Sequence, residues 1–324
     1  MSRIKIGLIG VGKLGAMHAN SLSQNQQAEL IGVVDADALR AREIADKFHC
    51  TPFATPQEML AQVEAVGIIV PTTLHHSVTL QALAAGKPVF VEKPIAGSLA
   101  EAEEMVHLAG QKNVALQVGH IERFNPAIRA LDGRSLKPMF IESHRLAPFD
   151  PRGTDVAVVL DLMIHDIDII LSIVQSEVTD LHANGVAVVS DEVDIANARI
   201  TFANGCVANV TASRISQRKM RKMRLFQRDA YISIDFLQRL TELFQLMEGE
   251  DGLASTVVLG QIEKGTHKRN IIYEQAAIPE GDAMTAEWNS FFDAIRNNCR
   301  PVVSGEDGLK ALKIAQEITR VISK

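Results

Sequence analysis

Cysteine is scarce in this chain: Cys50, Cys206 and Cys299 are odd in number and widely separated, with no C-x-x-C pair among them. That spacing excludes a disulfide framework and supplies neither zinc ligands nor a redox couple, so the three are expected to be reduced thiols with packing roles and no metal is expected. Long apolar runs are missing as well. The longest, such as Ala65 to Pro71 and Val156 to Leu160, fall far short of the ~20 residues that span a bilayer, which excludes a transmembrane helix. An excess of basic residues is also absent. Lys and Arg number 33 against 39 Asp and Glu, a net charge of -6, whereas general nucleic-acid affinity comes from neutralising phosphates with surplus cations. Any anion site must therefore be local. The opening Met1-Ser2-Arg3-Ile4-Lys5 passes directly into a strand-like run without the apolar segment of a secretory signal, so a cytoplasmic location is expected. No internal repeat, low-complexity tract or linker interrupts the chain.

What is present suits two cores. With 324 residues, 47% hydrophobic and 22% charged, the chain exceeds the size at which one core usually suffices. The alternating run Ile4 to Ile9 is followed at once by Gly10-x-Gly12-x-x-Gly15, and a helical pattern begins at Ala16. In that setting the three glycines have distinct tasks: a tight turn, close backbone approach to a pyrophosphate, and close packing of helix on strand. The helix N-terminus, with Lys13 and Leu14 between the glycines, then offers its N–H groups and partial positive charge to phosphates. A second strand, Leu30 to Val34, ends in Asp35, whose carboxylate can take both ribose hydroxyls and would repel a 2′-phosphate. NAD rather than NADP is the expected cofactor, although Arg40 and Arg42 stand nearby on the next helix.

Strand and helix go on alternating. Ala65 to Val70 reads as a buried parallel strand, and Pro71-Thr72-Thr73-Leu74-His75-His76 leaves its carboxyl end, where ligands lie in doubly wound sheets. Strand Val89-Phe90-Val91 leads into Glu92-Lys93-Pro94, where the proline restrains Lys93 at the strand edge. A surface lysine beside a turn is the plain alternative. With a further strand at Val114 to Val118, the first domain, an α/β Rossmann domain, is placed at residues 1–119.

The second domain, 120–324, is expected to be α+β. A helix over Val156 to Val174 is followed by long strands at Val178 to Val189, Val193 to Phe202, Cys206 to Ser213, Arg221 to Arg228 and Ala230 to Asp235, with Asn204-Gly205 as a hairpin turn. A mostly antiparallel sheet with a helix on one face leaves the other face to be covered, which predicts a homodimer or homotetramer assembled through this sheet. Helices at Thr285 to Asn297 and, after Ser304, at Leu309 to Ile322 close the chain, and the last can pack back against the first domain.

Within the expected central helix, Asp161, His165 and Asp168 interrupt an apolar run at i, i+4 and i+7, one helical face. A histidine satisfied in the core and a catalytic histidine both fit that stripe. Between Arg214 and Arg228 lie seven basic residues, Arg214, Arg218, Lys219, Arg221, Lys222, Arg224 and Arg228. Either they form a solvated strand face or, joined by His144, Arg145 and Arg152, they recognise a diphosphate.

The glycine motif, Asp35, Pro71-Thr72-x-x-His75, Ala85-Gly86-Lys87-Pro88-Val89-x-Val91-Glu92-Lys93-Pro94 and Asp161-x-x-x-His165, in that order, resemble the glucose-fructose oxidoreductase/inositol dehydrogenase family over nearly the whole chain. The resemblance implies NAD-linked oxidation of a secondary alcohol on a sugar or cyclitol. It makes Lys93 and His165 the catalytic pair, gives Asp161 the task of orienting His165 or contacting substrate, and sets Pro71, Thr72, His75, Glu92 and Lys93 about the cofactor; Asp168 is expected to be structural. Many members have glycine where this chain has Met163, which leaves less room beside the histidine or shifts how the helix packs. A narrower resemblance, to the UDP-N-acetylglucosamine 3-dehydrogenases, rests on Gly119-His120-Ile121-Glu122-Arg123-Phe124-Asn125-Pro126, on Glu142 to Phe149 and on Leu160 to Asp168. It implies a sugar-nucleotide substrate held by Lys93, Arg123, Asn125, Arg145, Asp161, His165 and Arg214, and a 3-keto product that an aminotransferase converts to a 3-amino sugar for lipid A. A free sugar, a cyclitol or a UDP-hexuronic acid are the other substrates such a chain admits, and a dinucleotide-sensing regulator without turnover is the non-enzymatic alternative.

Overall fold

A computed structural model describes residues 2–150, 156–248, 257–264 and 267–323, which divide into two compact units, Met1–Phe124 with Gly281–Lys313, and Asn125–Glu280 with Ile314–Lys324. In the first unit the chain runs β1 (Ile4–Ile9), α1 (Lys13–Gln24), β2 (Ala28–Val34), α2 (Ala38–Phe48), β3 (Thr51–Pro52), α3 (Pro56–Leu60), β4 (Ala65–Ile68), α4 (Thr72–Ala84), β5 (Val89–Glu92), α5 (Leu99–Lys112) and β6 (Leu116–Gly119), then a 3₁₀ turn over Ile121–Phe124. Capping residues mark several helix starts: Asp37 accepts from two N–H groups of α2, and Ser98 with Glu101 forms a reciprocal capping box on α5. The strands form a parallel six-stranded sheet in the order β3-β2-β1-β4-β5-β6. Strands β4, β5 and β6 are buried at every position, as expected where helices cover both faces. Strand order reverses between β1 and β4, so the carboxyl ends of these two strands form the switch point where doubly wound sheets bind ligands.

The second unit contains α6 (Pro126–Arg129), β7 (Phe140–Leu146), a π-helical turn over Val159–Met163, α7 (Ile164–Val174), β8 (Val178–Val186), β9 (Ile195–Phe202), β10 (Val207–Ser213), β11 (Met220–Gln227), β12 (Ala230–Asp235), β13 (Leu240–Glu248), β14 (Val257–Lys264) and β15 (His267–Gln275). Nine strands pair in the order β14-β15-β13-β12-β11-β7-β10-β9-β8, antiparallel except for β7 on β10. Burial alternates along β7, with Ile141, Ser143 and Arg145 buried on the face that α7 covers. The opposite face carries a cross-strand ladder of Phe140, Phe226, Tyr231, Phe244 and Tyr273, with neighbouring rings 5.1–5.9 Å apart.

Three features depart from the sequence reading. The strands β13 to β15 were not foreseen: the pairing that brings β13 beside β15 joins segments well apart in sequence and is not visible within either one. The central helix does not begin as an α-helix. Finally, the first unit's opening segment runs to Phe124, just past the boundary expected at Gly119, and the unit also takes back Gly281–Lys313, a segment the sequence reading assigned to the second domain. The helix α8 (Ala283–Asn297) buries Trp288, Phe291 and Phe292 in the first unit's core, where Gly67 lies so close to Trp288 that a Cβ would come within 2.8 Å of the indole. The last helix, α9 (Gly305–Ile322), starts at Ser304, whose hydroxyl accepts from the N–H of Asp307, and its Gly305 and Gly308 lie against Leu116 and Val118 of β6. Burial pushes the thiols of Cys50 and Cys206 up to about 11, which keeps them protonated, while Cys299 is exposed.

Candidate active site

The glycine turn after β1 separates the needs of the protein from those of a ligand. Gly10 has φ +88°, and a Cβ there would meet the carbonyl of Ile69 at 2.3 Å. A Cβ on Gly15 would lie 2.1 Å from the carbonyl of Gly10, so helix α1 can approach β1 only because that residue is glycine. Gly12 is different. A Cβ there meets nothing within 4 Å, so the protein's own packing does not require glycine, and the space is available to a pyrophosphate. No side chain caps the N-terminus of α1, which leaves the N–H groups at Lys13 and Leu14 to an anion.

Asp35 stands just past β2. Its carboxylate accepts from the N–H of Val11 at 2.7 Å and of Asp37 at 2.9 Å, binding the glycine turn to the strand end. Each oxygen retains a second acceptor direction for ribose hydroxyls. Arg40 donates to the carbonyl of Val11 at 2.9 Å and pairs with Glu43 at 2.7 Å. These residues fit NAD.

At the carboxyl ends of β4 and β5, Pro71 is exposed and precedes α4, with Thr72 as the first residue of that helix, and the Lys93–Pro94 peptide is cis. His75 is buried, with Nδ1 2.8 Å from the carbonyl oxygen of Pro94 and Nε2 2.9 Å from that of Val70. Burial lowers its pKa, opposed by these two carbonyls, which favour the protonated ring. His75 therefore ties the end of β4 to the loop after β5 rather than presenting a polar atom to the cofactor. Glu92, expected beside the cofactor, is likewise turned inward. Its Oε1 lies 3.0 Å from Nε2 of His18, and its Oε2 accepts from the N–H of Lys93 at 3.1 Å. Lys93 itself is half-buried. Sequence reasoning overlooked His18, although a signal was there: Gly15, His18, Ala19 and Leu22 form the buried stripe of α1, and His18 is its only ionisable member.

In the second unit, Asp161 lies in the π-helical turn and His165 in the first turn of α7; both are half-buried. The wider turn means that the α-helical face assumed for Asp161, His165 and Asp168 holds only from Ile164 onward. Such turns within α-helices recur at functional sites. Met163 is fully buried as the last residue of the turn, and Asp168 is buried on α7. The neighbouring Asp166 makes a bidentate pair with Arg145, Nε to Oδ2 at 2.9 Å and Nη2 to Oδ1 at 2.8 Å, with both side chains 2% exposed.

The structure thus puts Arg145 to a different use from the expected one, since its guanidinium is spent inside the unit. The same holds for Arg214. It pairs with fully buried Asp194 at 2.8 Å and donates to the carbonyl of Val156 at 2.6 Å. Desolvation raises the pKa of Asp194, but N–H donors from Val189 and Val188, the Ser190 hydroxyl and Arg214 outweigh it and hold this carboxyl well below the usual range. Asn125 caps α6 and donates to the carbonyl of Phe236 at 3.3 Å. Arg123, in the 3₁₀ turn of the first unit, is half-buried. The basic tract does not assemble into one patch: Lys222 and Arg224 lie on the ladder face, paired with Asp235 and Glu142, while Arg221 is opposite Arg145 in register. Arg152 lies outside the described residues. Among the described residues no helix is long and apolar enough to cross a membrane.

Comparison with known proteins identifies the family and the fold. Residues 4–120 match the model of an oxidoreductase family with an NAD-binding Rossmann fold, and residues 132–233 match the GFO/IDH/MocA C-terminal domain. A UDP-N-acetylglucosamine 3-dehydrogenase from Acidithiobacillus ferrooxidans is 36% identical over 98% of this chain and 97% of its own length. A solved structure of that enzyme superposes with TM-score 0.88 at 34% identity, covering 99% of this chain and 98% of that one. A myo-inositol 2-dehydrogenase from Thermotoga maritima is 26% identical over 95% of this chain and 93% of its own. The scyllo-inositol dehydrogenase of Lactobacillus casei, solved with NAD(H) and scyllo-inositol, shares the fold with TM-score 0.77 at 21% identity, covering 99% of this chain and 97% of that one.

Proposed function

From the premise that this chain belongs to the GFO/IDH/MocA oxidoreductase family, NAD-binding enzymes that act on CH–OH groups, we propose that it oxidises the 3-hydroxyl of UDP-N-acetylglucosamine to the ketone. The observation that carries this reading is the end-to-end similarity, at 36% identity, to a UDP-N-acetylglucosamine 3-dehydrogenase. The Gly10–Gly15 turn, the start of α1 and Asp35 would hold NAD, which would supply the hydride acceptor. The other roles fall to side chains. His165, neutral and oriented by Asp161, takes the hydroxyl proton as hydride leaves the carbon, and Lys93 donates a hydrogen bond to the same oxygen and stabilises its growing negative charge. Arg123 is the remaining cationic candidate for the substrate from the set expected on resemblance. The 3-keto product suits an aminotransferase that installs a 3-amino group, as lipid A synthesis of the amide-linked kind requires.

A second reading has support of its own. Arg145 and Arg214, expected to grip a diphosphate, are sequestered in internal ion pairs, which favours a neutral substrate such as a free sugar or cyclitol. Incubation of the purified protein with NAD and each candidate, following NADH at 340 nm, separates the two. The first reading expects turnover with UDP-N-acetylglucosamine and a 3-amino product when an aminotransferase and amino donor are added. Turnover with myo-inositol and none with the sugar nucleotide would overturn it. Loss of turnover in both Lys93→Met and His165→Asn is expected, and near-wild-type rates in either would remove that residue from the chemistry.

The sheet face bearing Phe140, Phe226, Tyr231, Phe244 and Tyr273 supports assembly through the second unit. A contiguous aromatic face opposite the helix-covered one is what a second copy of the chain would bury.

A further inference from the structure

We propose that the buried His18–Glu92 pair is a positioning device joining the nucleotide-binding helix α1 to Lys93, an inference that rests on the reading of Lys93 as a residue acting on the substrate oxygen. His18 is fully buried on α1, with its ring 5.5 Å from both Phe90 and Trp288. Its Nε2 is 3.0 Å from Oε1 of Glu92, while its Nδ1 has no hydrogen-bond partner among the described residues. Nε2 faces a carboxylate oxygen and is the donor of this pair, so the imidazole's other nitrogen, Nδ1, is left as an unpartnered polar atom in an apolar box. Such a group is costly to bury. An apolar side chain of similar size would fill the same box without that cost, so packing does not account for a histidine here, and its polar contribution is directed at Glu92.

The carboxylate it holds is confined from a second side. A Cβ on Gly119 of β6 would come within 2.9 Å of the Glu92 carboxyl, so β6 leaves room for that group and no more. Oε2 of the same carboxylate accepts from the N–H of Lys93 at 3.1 Å. The helix whose first turn is built for a pyrophosphate is thus linked through one side-chain pair to the backbone of the residue that follows β5. Fixing that backbone N–H restricts the direction in which Lys93 leaves the strand, and loose support of such a residue is a common source of lost turnover. His18 and Glu92 touch neither substrate nor reacting atoms in this account. They act through Lys93.

The test uses the full-length protein with NAD and UDP-N-acetylglucosamine, or the cyclitol should that be the substrate turned over. His18→Leu is expected to lower kcat about tenfold or more while the NADH Kd, titrated by NADH fluorescence, moves less than about threefold. Glu92→Ala should behave alike, and the double variant should be no worse than either single one, as for residues acting as a unit. Glu92→Gln is the conservative rescue: its amide can donate to Nε2 of His18 in the other tautomer while its carbonyl accepts from Lys93, so kcat should recover to within about threefold of wild type. Should His18→Leu fold poorly, Gly119→Ala displaces the same carboxyl from β6 and is expected to lower kcat in the same way. The emission of Trp288, the one tryptophan in the sequence, reports whether the core around His18 is intact. The proposal is overturned if Lys93→Met abolishes turnover while His18→Leu keeps kcat. It is also overturned if the loss lies in NADH affinity alone, or if Glu92→Gln is as impaired as Glu92→Ala. Near-wild-type turnover of Lys93→Met would instead overturn the reading of Lys93, and the proposal with it.

Discussion

Replacing Arg145 with methionine should be among the most damaging single changes in the second unit. The guanidinium meets Asp166 through two hydrogen bonds of 2.9 and 2.8 Å, both side chains are 2% exposed, and the ring of Phe236 lies 5.9 Å from the guanidinium carbon. Methionine fills much of the same volume but leaves the Asp166 carboxylate buried without its countercharge, a situation that costs roughly 3–5 kcal/mol. For a unit of this size such a loss corresponds to a fall in melting temperature of roughly 6–20 °C. The cost lies in the stranded charge rather than in the absence of an ion pair. Arg145→Met with Asp166→Leu should therefore recover most of the stability. Urea denaturation followed by hydrogen exchange of the α7 amides measures the effect in the second unit, and the exposed pair Arg320–Glu317, 56% and 41% exposed, serves as a control expected to leave the unfolding midpoint nearly unchanged when broken. A single variant that loses less than about 1 kcal/mol, or a double variant no more stable than the single, would refute the reasoning.

Gly12→Ala should fold with an unchanged melting temperature, because a Cβ there meets nothing of the protein, yet bind NADH at least about tenfold more weakly by fluorescence titration. Gly15→Ala should lose both stability and cofactor, because its Cβ would fall 2.1 Å from the carbonyl of Gly10. The Asp194 carboxyl is held below its usual range in the folded protein, so its contribution is fully present above the unfolded value of about 4 and is lost as pH falls towards the folded one; melting temperatures taken between about pH 2 and 7 should decline less steeply on acidification in Asp194→Asn than in wild type. Phe226→Asp places a charge in the middle of the aromatic ladder and is expected to reduce the light-scattering mass to that of one chain without unfolding it.

Legibility followed distance along the chain. The glycine turn, Asp35 at the end of β2 and the alternation of strand and helix are local patterns in which every residue needed to recognise the function lies within one short segment. The apolar run carrying Asp161 and His165 was legible for the same reason, although the π-helical turn within it was not, since a run apolar at nearly every position has no period for an added residue to shift. A charge is harder to interpret. Arg145 and Arg214 have the composition and placement of phosphate ligands, and only the arrival of Asp166 and Asp194 from other elements made them internal struts.

By itself, then, the sequence determined the doubly wound first sheet, the dinucleotide seat and its preference for NAD, because these depend on backbone conformation and side-chain type at fixed local spacing. The tertiary structure alone decided that α8 returns to complete the first unit's core, that five aromatic side chains from separate strands line up on one sheet face, and that His18 meets Glu92 across 74 positions of the chain. The physical reason is common to all three: which partner a buried side chain finds is settled by the packing of distant segments against one another, and no window of sequence contains both halves of such a contact.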